Sequence, residues 1–316
     1  MRILITGSSG QIGTNLVLHL LDQGHDVYGV DIRPNPWTRR IETIIQDLNA
    51  PQTEFVTGIG DTTYPSDLDV VVHLAAHAKV YELVEHPERA LQNISMAFNV
   101  LEFCRHQRAP IIFGSTREVY GDVQRYVTEE SQADFMVAES PYAASKIAGE
   151  ALVHSYARCY ELPFLVFRFS NVYGRYDNDI ERMERVTPLF IHRIRHGEPV
   201  TIYGAEKELD FTYVDDCIEG IAAGIDLLVR GAERDHTVNL AYGQGNSLVT
   251  LATYIGQALW KEPRIEFAPA RAGEVTRYVA NIGKARALLN YNPQVPLEEG
   301  IKRCVAWSVD WWERKG

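Results

Sequence analysis

Tyr142 and Lys146 stand four residues apart in the run Tyr142-Ala143-Ala144-Ser145-Lys146. On a helix that spacing puts both side chains on one face, one turn apart. A phenol titrates near about 10, so it is a poor base at neutral pH. A neighbouring ammonium and a cationic nicotinamide ring would stabilise the phenolate, and Tyr142 could then take the proton of a hydroxyl while hydride leaves its carbon. A tyrosine and a lysine at this spacing also occur by chance in many helices. Pro141 directly before them, and a glycine-rich turn at the start of the chain, set this pair apart.

That turn is Gly7-Ser8-Ser9-Gly10-Gln11-Ile12-Gly13, between the strand-like Arg2–Thr6 and a stretch with Leu16, Val17, Leu20 and Leu21 at helical spacing. Gly7 permits a tight turn, Gly10 lets backbone approach a pyrophosphate, and Gly13 allows close packing of helix on strand. The anion would sit on the helix N-terminus, where free N–H groups and the macrodipole favour negative charge. Asp31, about 20 residues on at the end of the next strand, is placed to accept hydrogen bonds from an adenosine ribose and to repel a 2′-phosphate. NAD is therefore expected over NADP, although Arg33 nearby is of a type that accommodates the phosphate.

The elements that must carry these residues alternate in type. Candidate strands are Arg2–Thr6, Asp26–Val30, Val70–Leu74, Ile111–Gly114 and Phe164–Arg168, with a further one at Thr237–Ala241. Helical stretches run from Gly13 to Gln23, with Gly24 as a C-cap, from Leu91 to Arg105, from Ala144 to Tyr160, and from Thr187 to Arg195. The pattern predicts an α/β protein with a Rossmann-type doubly wound parallel sheet and a smaller C-terminal substrate-binding lobe. The expected division is 1–172 plus 211–241 for the dinucleotide and 173–210 plus 242–316 for the lobe.

Composition narrows the partners. The 316 residues, 46% of them hydrophobic, are enough for one large core or two modest ones. A formal net charge of -11 without a basic block argues against nucleic acid. No apolar run approaches the roughly 20 residues that span a bilayer, and Met1 leads straight into the first strand without room for a signal peptide. A cytoplasmic protein is expected. Cys104, Cys159, Cys217 and Cys304 form no CxxC pair, which signals neither zinc nor a disulfide framework, and all four are expected to be buried. No metal site is predicted.

The G-x-x-G-x-x-G spacing, His73-Leu74-Ala75-Ala76 and the Tyr-x-x-x-Lys pair together resemble the extended short-chain dehydrogenase/reductase family, within it the nucleotide-sugar epimerases and dehydratases. The resemblance extends through Arg168-Phe169-Ser170-Asn171-Val172-Tyr173-Gly174, Asp210-Phe211-Thr212-Tyr213-Val214-Asp215-Asp216 and Arg271-Ala272-Gly273-Glu274. It implies that Leu74, Ala75 and Ala76 line the cofactor with Gly7, Gly10, Gln11, Ile12, Gly13 and Asp31. It further implies that Lys146 also holds the nicotinamide ribose, and that Thr116 hydrogen-bonds the reacting O4 beside Tyr142. Asn171 would contact the diphosphate, Thr187 and Tyr203 would enclose the base, and Arg271 would neutralise phosphate. Lys79 is a further candidate for contacting substrate.

Residues 117 and 118 bear on the reaction. In the 4,6-dehydratases that this chain resembles, an Asp protonates the leaving hydroxyl and a Glu removes the C5 proton. Here Glu118 matches the base, but Arg117 occupies the acid position and cannot donate a proton at neutral pH. Arg117 could instead pair with a substrate carboxylate, as a uronic acid would offer. Leu209 precedes Asp210 where the family commonly has an arginine, leaving Arg271 to meet phosphate with help from Lys207 or Arg277.

The leading expectation is transient C4 oxidation of a nucleotide sugar, with UDP favoured by the resemblance, followed by C4 epimerisation of a UDP-hexose or UDP-hexuronic acid. A 4,6- or 5,6-dehydratase and a UDP-glucuronate decarboxylase using Glu118 stay open. So do a non-catalytic NAD-binding regulator and a simple NADP-dependent carbonyl reductase. The helices Leu91–Arg105 and Ala144–Tyr160 carry more apolar surface than one sheet face covers, which predicts a homodimer through a four-helix contact.

Overall fold

The computed structural model describes residues 1–50, 64–121, 130, 138–177, 185–271, 273 and 275–315. Ala272 and Glu274 of the fourth motif lie outside the described residues, as does much of the charge-rich stretch between Arg175 and Arg185.

Seven strands form one all-parallel sheet in the order β10-β6-β5-β4-β1-β2-β3. They are β1 (Arg2–Thr6), β2 (Asp26–Asp31), β3 (Thr43–Ile45), β4 (Val70–His73), β5 (Ile111–Thr116), β6 (Phe164–Phe169) and β10 (His236–Leu240). Strand order reverses between β1 and β4, which places the ligand crevice of a doubly wound sheet at their C-terminal ends. Alternation along the strands serves both faces. Ile3, Ile5, Val70, Val72, Leu165 and Phe167 join one core, and Leu4, Val71, Ile111, Phe113, Phe164 and Val166 join the other. Helices α1 (Gln11–Asp22) and α6 (Val214–Val229) pack together on the first face, while α3 (Glu88–Gln107) and α4 (Pro141–Tyr160) pack together on the second.

The remaining strands are short and pair far along the chain. In a second sheet β9 (Glu208–Tyr213) joins β7 (Asn171–Tyr173) and β13 (Arg277–Tyr278) in parallel and β11 (Gly245–Ser247) antiparallel. A two-stranded pair is made by β8 (Val200–Tyr203) and β12 (Ile265–Ala268). Around them lie α5 (Val186–His196), α7 (Leu248–Leu259), α8 (Gly283–Leu289) and α9 (Leu297–Lys315), and the short α2 (Val80–Glu85) follows β4.

No helix among the described residues is long and apolar enough to cross a membrane. Cys104, Cys217 and Cys304 are buried thiols, but Cys159 is exposed in the last turn of α4, against expectation. Neighbouring Tyr160 in that turn is exposed as well.

Candidate active site

The glycine turn is built without room for side chains. Gly7 is left-handed at φ +73°, and a Cβ there would meet the Ala75 nitrogen at 2.7 Å. A Cβ on Gly13 would overlap the Gly7 carbonyl oxygen, and Gly10 is close behind it. The cradle therefore brings the Leu74–Ala76 backbone against the turn. At the start of α1, no side chain caps the helix, and the buried Gln11 leaves its Nε2 without a hydrogen-bond partner while its Oε1 accepts from Arg185. An uncapped N-terminus with an orphaned amide donor and a cradle that excludes Cβ atoms is a site for a diphosphate. The residues present thus fit a dinucleotide.

Asp31 ends β2 beside this turn. Its carboxylate accepts from the backbone N–H groups of Ser9 (3.0 Å) and Arg33 (3.3 Å). Burial pushes its pKa up, and those two N–H groups work in the opposite direction. Asn35, which sequence reading missed, braces the turn from outside: its amide donates to the Ser8 carbonyl and the Thr14 hydroxyl, both at 3.0 Å.

The chemical group lies where β5 ends. Ser140 caps α4 through the Ala143 N–H, Pro141 fills the first turn, and Tyr142 and Lys146 follow on the buried face. Thr116, the last residue of β5, acts on the Tyr142 phenol and favours its ionised form. Lys146 Nζ donates to the Gly114 carbonyl at 2.7 Å. Burial pushes Tyr142 up to about 12, an effect the Thr116 side chain opposes and the Glu118 charge assists. Burial pulls Lys146 down to about 8, with Glu150 opposing. Nearby, His73 hydrogen-bonds Thr6 Oγ1 at 2.7 Å and is held neutral by burial first and the Lys146 charge second, its pKa near about 3.

Two further residues position this set. Glu150, one turn beyond Lys146, takes both guanidinium arms of Arg168 (2.9 and 2.6 Å) and a 2.5 Å hydrogen bond from Ser115, the neighbour of Thr116. Asn93 on α3 accepts from the His77 N–H and donates to the His77 carbonyl and to Ser145, so it ties the loop after β4 to the catalytic helix. Both were visible in principle as polar residues on the apolar side of a helix.

Arg117 and Glu118 begin a 3-10 turn after β5, and they bond each other: Arg117 Nη2 lies 2.9 Å from Glu118 Oε1 in a buried pair. The Arg117 guanidinium lies over the Tyr278 ring, and its Nη1 is buried without a hydrogen-bond partner. The contact with Glu118 uses one of the five guanidinium N–H donors, and Nη1 keeps its own for another acceptor. Leu209 is buried in the core, so an arginine has no place there in this packing. The adjoining Asp210 is fully buried, is pushed up to about 7 by burial, and accepts from the N–H groups of Tyr242, Gly243 and Ala280.

Of the other substrate candidates, Tyr203 and Arg271 come together, the guanidinium 3.8 Å from the ring centroid, with Tyr81 of α2 on another side of the same cation at 5.3 Å. Lys79 is the N-cap position of that helix α2. Asn171 donates to the Asp210 carbonyl, and Thr187 is buried in the first turn of α5. Of the residues given to the sugar nucleotide, Tyr203 and Arg271 are thus in contact, while Asn171 and Thr187 sit on other elements.

Residues 3–241 match the NAD dependent epimerase/dehydratase family. The chain belongs to that family. Its cofactor is accordingly NAD, and the fold class read from the alternating elements is the one observed. The chain is 32% identical to an uncharacterized UDP-glucose epimerase of Bacillus subtilis (strain 168), over 97% of this chain and 98% of the relative. Among solved structures, a UDP-glucose 4-epimerase with UDP-glucose from Thermotoga maritima superposes with a TM-score of 0.89 at 28% identity, covering 99% of this chain and 100% of the other. A UDP-glucuronic acid 4-epimerase from Bacillus cereus in complex with UDP-glucuronic acid and NAD gives a TM-score of 0.83 at 26% identity, with 98% and 100% covered.

Proposed function

We propose that this enzyme interconverts the C4 epimers of a UDP-sugar, a hexose or a hexuronic acid. The observation that carries this reading is the placing of Tyr142 and Lys146 one turn apart on the buried face of α4, with Thr116 acting on the phenol from the end of β5 and the glycine cradle at the same edge of the sheet. Bound NAD supplies the hydride acceptor for C4 and the donor that returns it. Tyr142 takes the O4 proton as the alcohol becomes a ketone, and gives it back when the carbonyl is reduced on its other face. Thr116 holds O4 toward Tyr142, and Lys146 stabilises the phenolate and holds the nicotinamide ribose. Asp31 and the cradle of Gly7, Gly10 and Gly13 hold the adenosine and diphosphate of the cofactor. Arg271, Asn171, Thr187, Tyr203 and Lys79 are assigned to the sugar nucleotide. A homodimer through α3 and α4 and a cytoplasmic location belong to the same reading.

Glu118 favours a second reading. It is buried at the reacting end, its backbone N–H bonded to Thr116 Oγ1 and its charge acting on Tyr142, so a C5 proton is within its province if the chemistry is elimination or decarboxylation. The commitment of one oxygen to Arg117 speaks for the first reading. Proton NMR with mass spectrometry separates the two, after incubation of pure protein with UDP-glucose, UDP-N-acetylglucosamine, UDP-glucuronate, dTDP-glucose and GDP-mannose. A new anomeric signal without mass change is expected. Loss of water or carbon dioxide would overturn epimerisation and make Glu118 catalytic.

A further inference from the structure

The loop that follows Asp31 has little of its own to hold it. Ile32, Arg33, Pro34, Pro36, Arg39 and Arg40 are exposed. Its shielded residues are Asn35, Trp37 and Thr38. Asn35 faces the glycine turn, and its Oδ1 also accepts from the Trp37 and Thr38 N–H groups, which fixes the loop's shape. Trp37 faces the other way. Its ring lies 4.8 Å from that of Trp311 and 5.7 Å from those of Trp307 and Tyr176, centroid to centroid. Trp307 and Trp311 stack on each other, one turn apart on α9.

The fourth ring comes from a different segment. Tyr176 holds a left-handed backbone at φ +59°, which costs a non-glycine residue energy that the surrounding contacts must offset. Its neighbour Arg175 accepts through its carbonyl from Asn15 of α1 and pairs with Asp215 of α6 at 2.7 Å. Three parts of the chain, more than a hundred residues apart in sequence, thus meet as one aromatic cluster next to the turn that receives the dinucleotide. Besides its bonds to the glycine turn and the exposed Arg40–Asp22 pair to the end of α1 (2.6 Å), the loop is anchored by this cluster.

We propose that α9 is the retaining element for NAD: Trp307 and Trp311 hold Trp37, and Trp37 holds the loop that follows Asp31 closed against the glycine turn. The four aromatics are positioning residues and do not touch the reacting atoms. This rests on the cofactor assignment above, and it suits an enzyme that must return its hydride to the same intermediate. Opening the loop would pull Asn35 from Ser8 and Thr14 and uncover the turn. Such opening requires the rings to part, so the rate of cofactor release is set by their contact rather than by the ribose and diphosphate alone.

The test is release of NAD from the holoenzyme, followed by chasing bound isotope-labelled NAD with unlabelled NAD. Trp37→Ala and Trp307→Ala should release it faster, roughly 10- to 100-fold for the loss of two or three ring contacts. Trp37→Phe, which keeps a ring, should remain within a few-fold of wild type. Trp312→Ala is the control, because Trp312 lies on the same helix but packs on His192 and Arg195 instead. It should lower the melting temperature without changing release. Trp37→Ala and Trp307→Ala that lose melting temperature like Trp312→Ala and keep the wild-type release rate would overturn the proposal alone. A wild type that takes up no NAD at all would overturn the cofactor assignment along with it.

Discussion

At the scale of single residues, burial works against the chemistry and the neighbours must restore it. In the protein alone Tyr142 is pushed up to about 12 and Lys146 down to about 8, so the neutral pair dominates between those values. Base catalysis needs the opposite charges, phenolate and ammonium, and the positive ring of the cofactor is what brings the phenol down. The expected kcat/KM profile rises with pH as the tyrosine ionises and falls above about 8 as Lys146 loses its charge. Lys146→Met should move the rising limb up by roughly one pH unit or more, because the phenolate loses its cation. An unmoved limb would remove Lys146 from this role. His73 gives a stability effect with a clear sign. Its folded pKa near about 3 lies below the unfolded value of about 6.5, so stability is complete above about 6.5 and is lost as pH falls toward 3. The loss approaches about 1.4 kcal/mol per pH unit inside that window. The melting temperature between pH 7 and 5 should fall less steeply in His73→Gln than in wild type.

At the scale of elements, the catalytic helix is set in register by groups that perform no chemistry. Glu150 and Arg168 form a buried two-armed pair between α4 and β6, and Ser115 joins them from β5. Glu150→Gln leaves the guanidinium buried without its carboxylate and should cost about 3 kcal/mol or more, read as a lower urea midpoint. Replacing both partners, Glu150→Gln with Arg168→Met, should recover part of that loss, since no charge is then stranded. Six strands of the principal sheet were legible because they are apolar runs of four to six residues, whereas β3, three residues long, was missed. The two helices that flank the site were legible from their apolar spacing, but they begin at Gln11 and Pro141 rather than at Gly13 and Ala144. The second sheet was not legible. Its outer strands are two or three residues long, too short for any period to register, and β9 pairs with residues from both sides of it in the chain.

At the scale of the whole molecule, α3 and α4 cover one sheet face and still expose apolar surface. Leu91 is 68% and Phe98 39% exposed, and a groove beside them is lined by Ile94, Asn99 and Leu152 together with Asn49 and Ala50. A second copy placed there would build the four-helix contact. Light scattering should give twice 35.7 kDa for the wild type and one chain for a Leu91→Asp, Phe98→Asp variant. A monomeric wild type at micromolar concentration would remove the dimer from the reading.

What the amino-acid order decided alone is the local part: the turn that excludes side chains at Gly7 and Gly13, the acid at Asp31, and the one-turn spacing of Tyr142 and Lys146. Each follows from backbone sterics or helix geometry within a few residues. Only the folded chain decided which partner each long side chain takes. Only the fold shows that Arg117 pairs with Glu118 and lies over Tyr278, 161 positions further on. Trp37 and Trp307 are unremarkable in sequence and meet because the fold brings α9 to the loop after β2. Pairings of that kind depend on loop closure over hundreds of residues, and no local pattern encodes them.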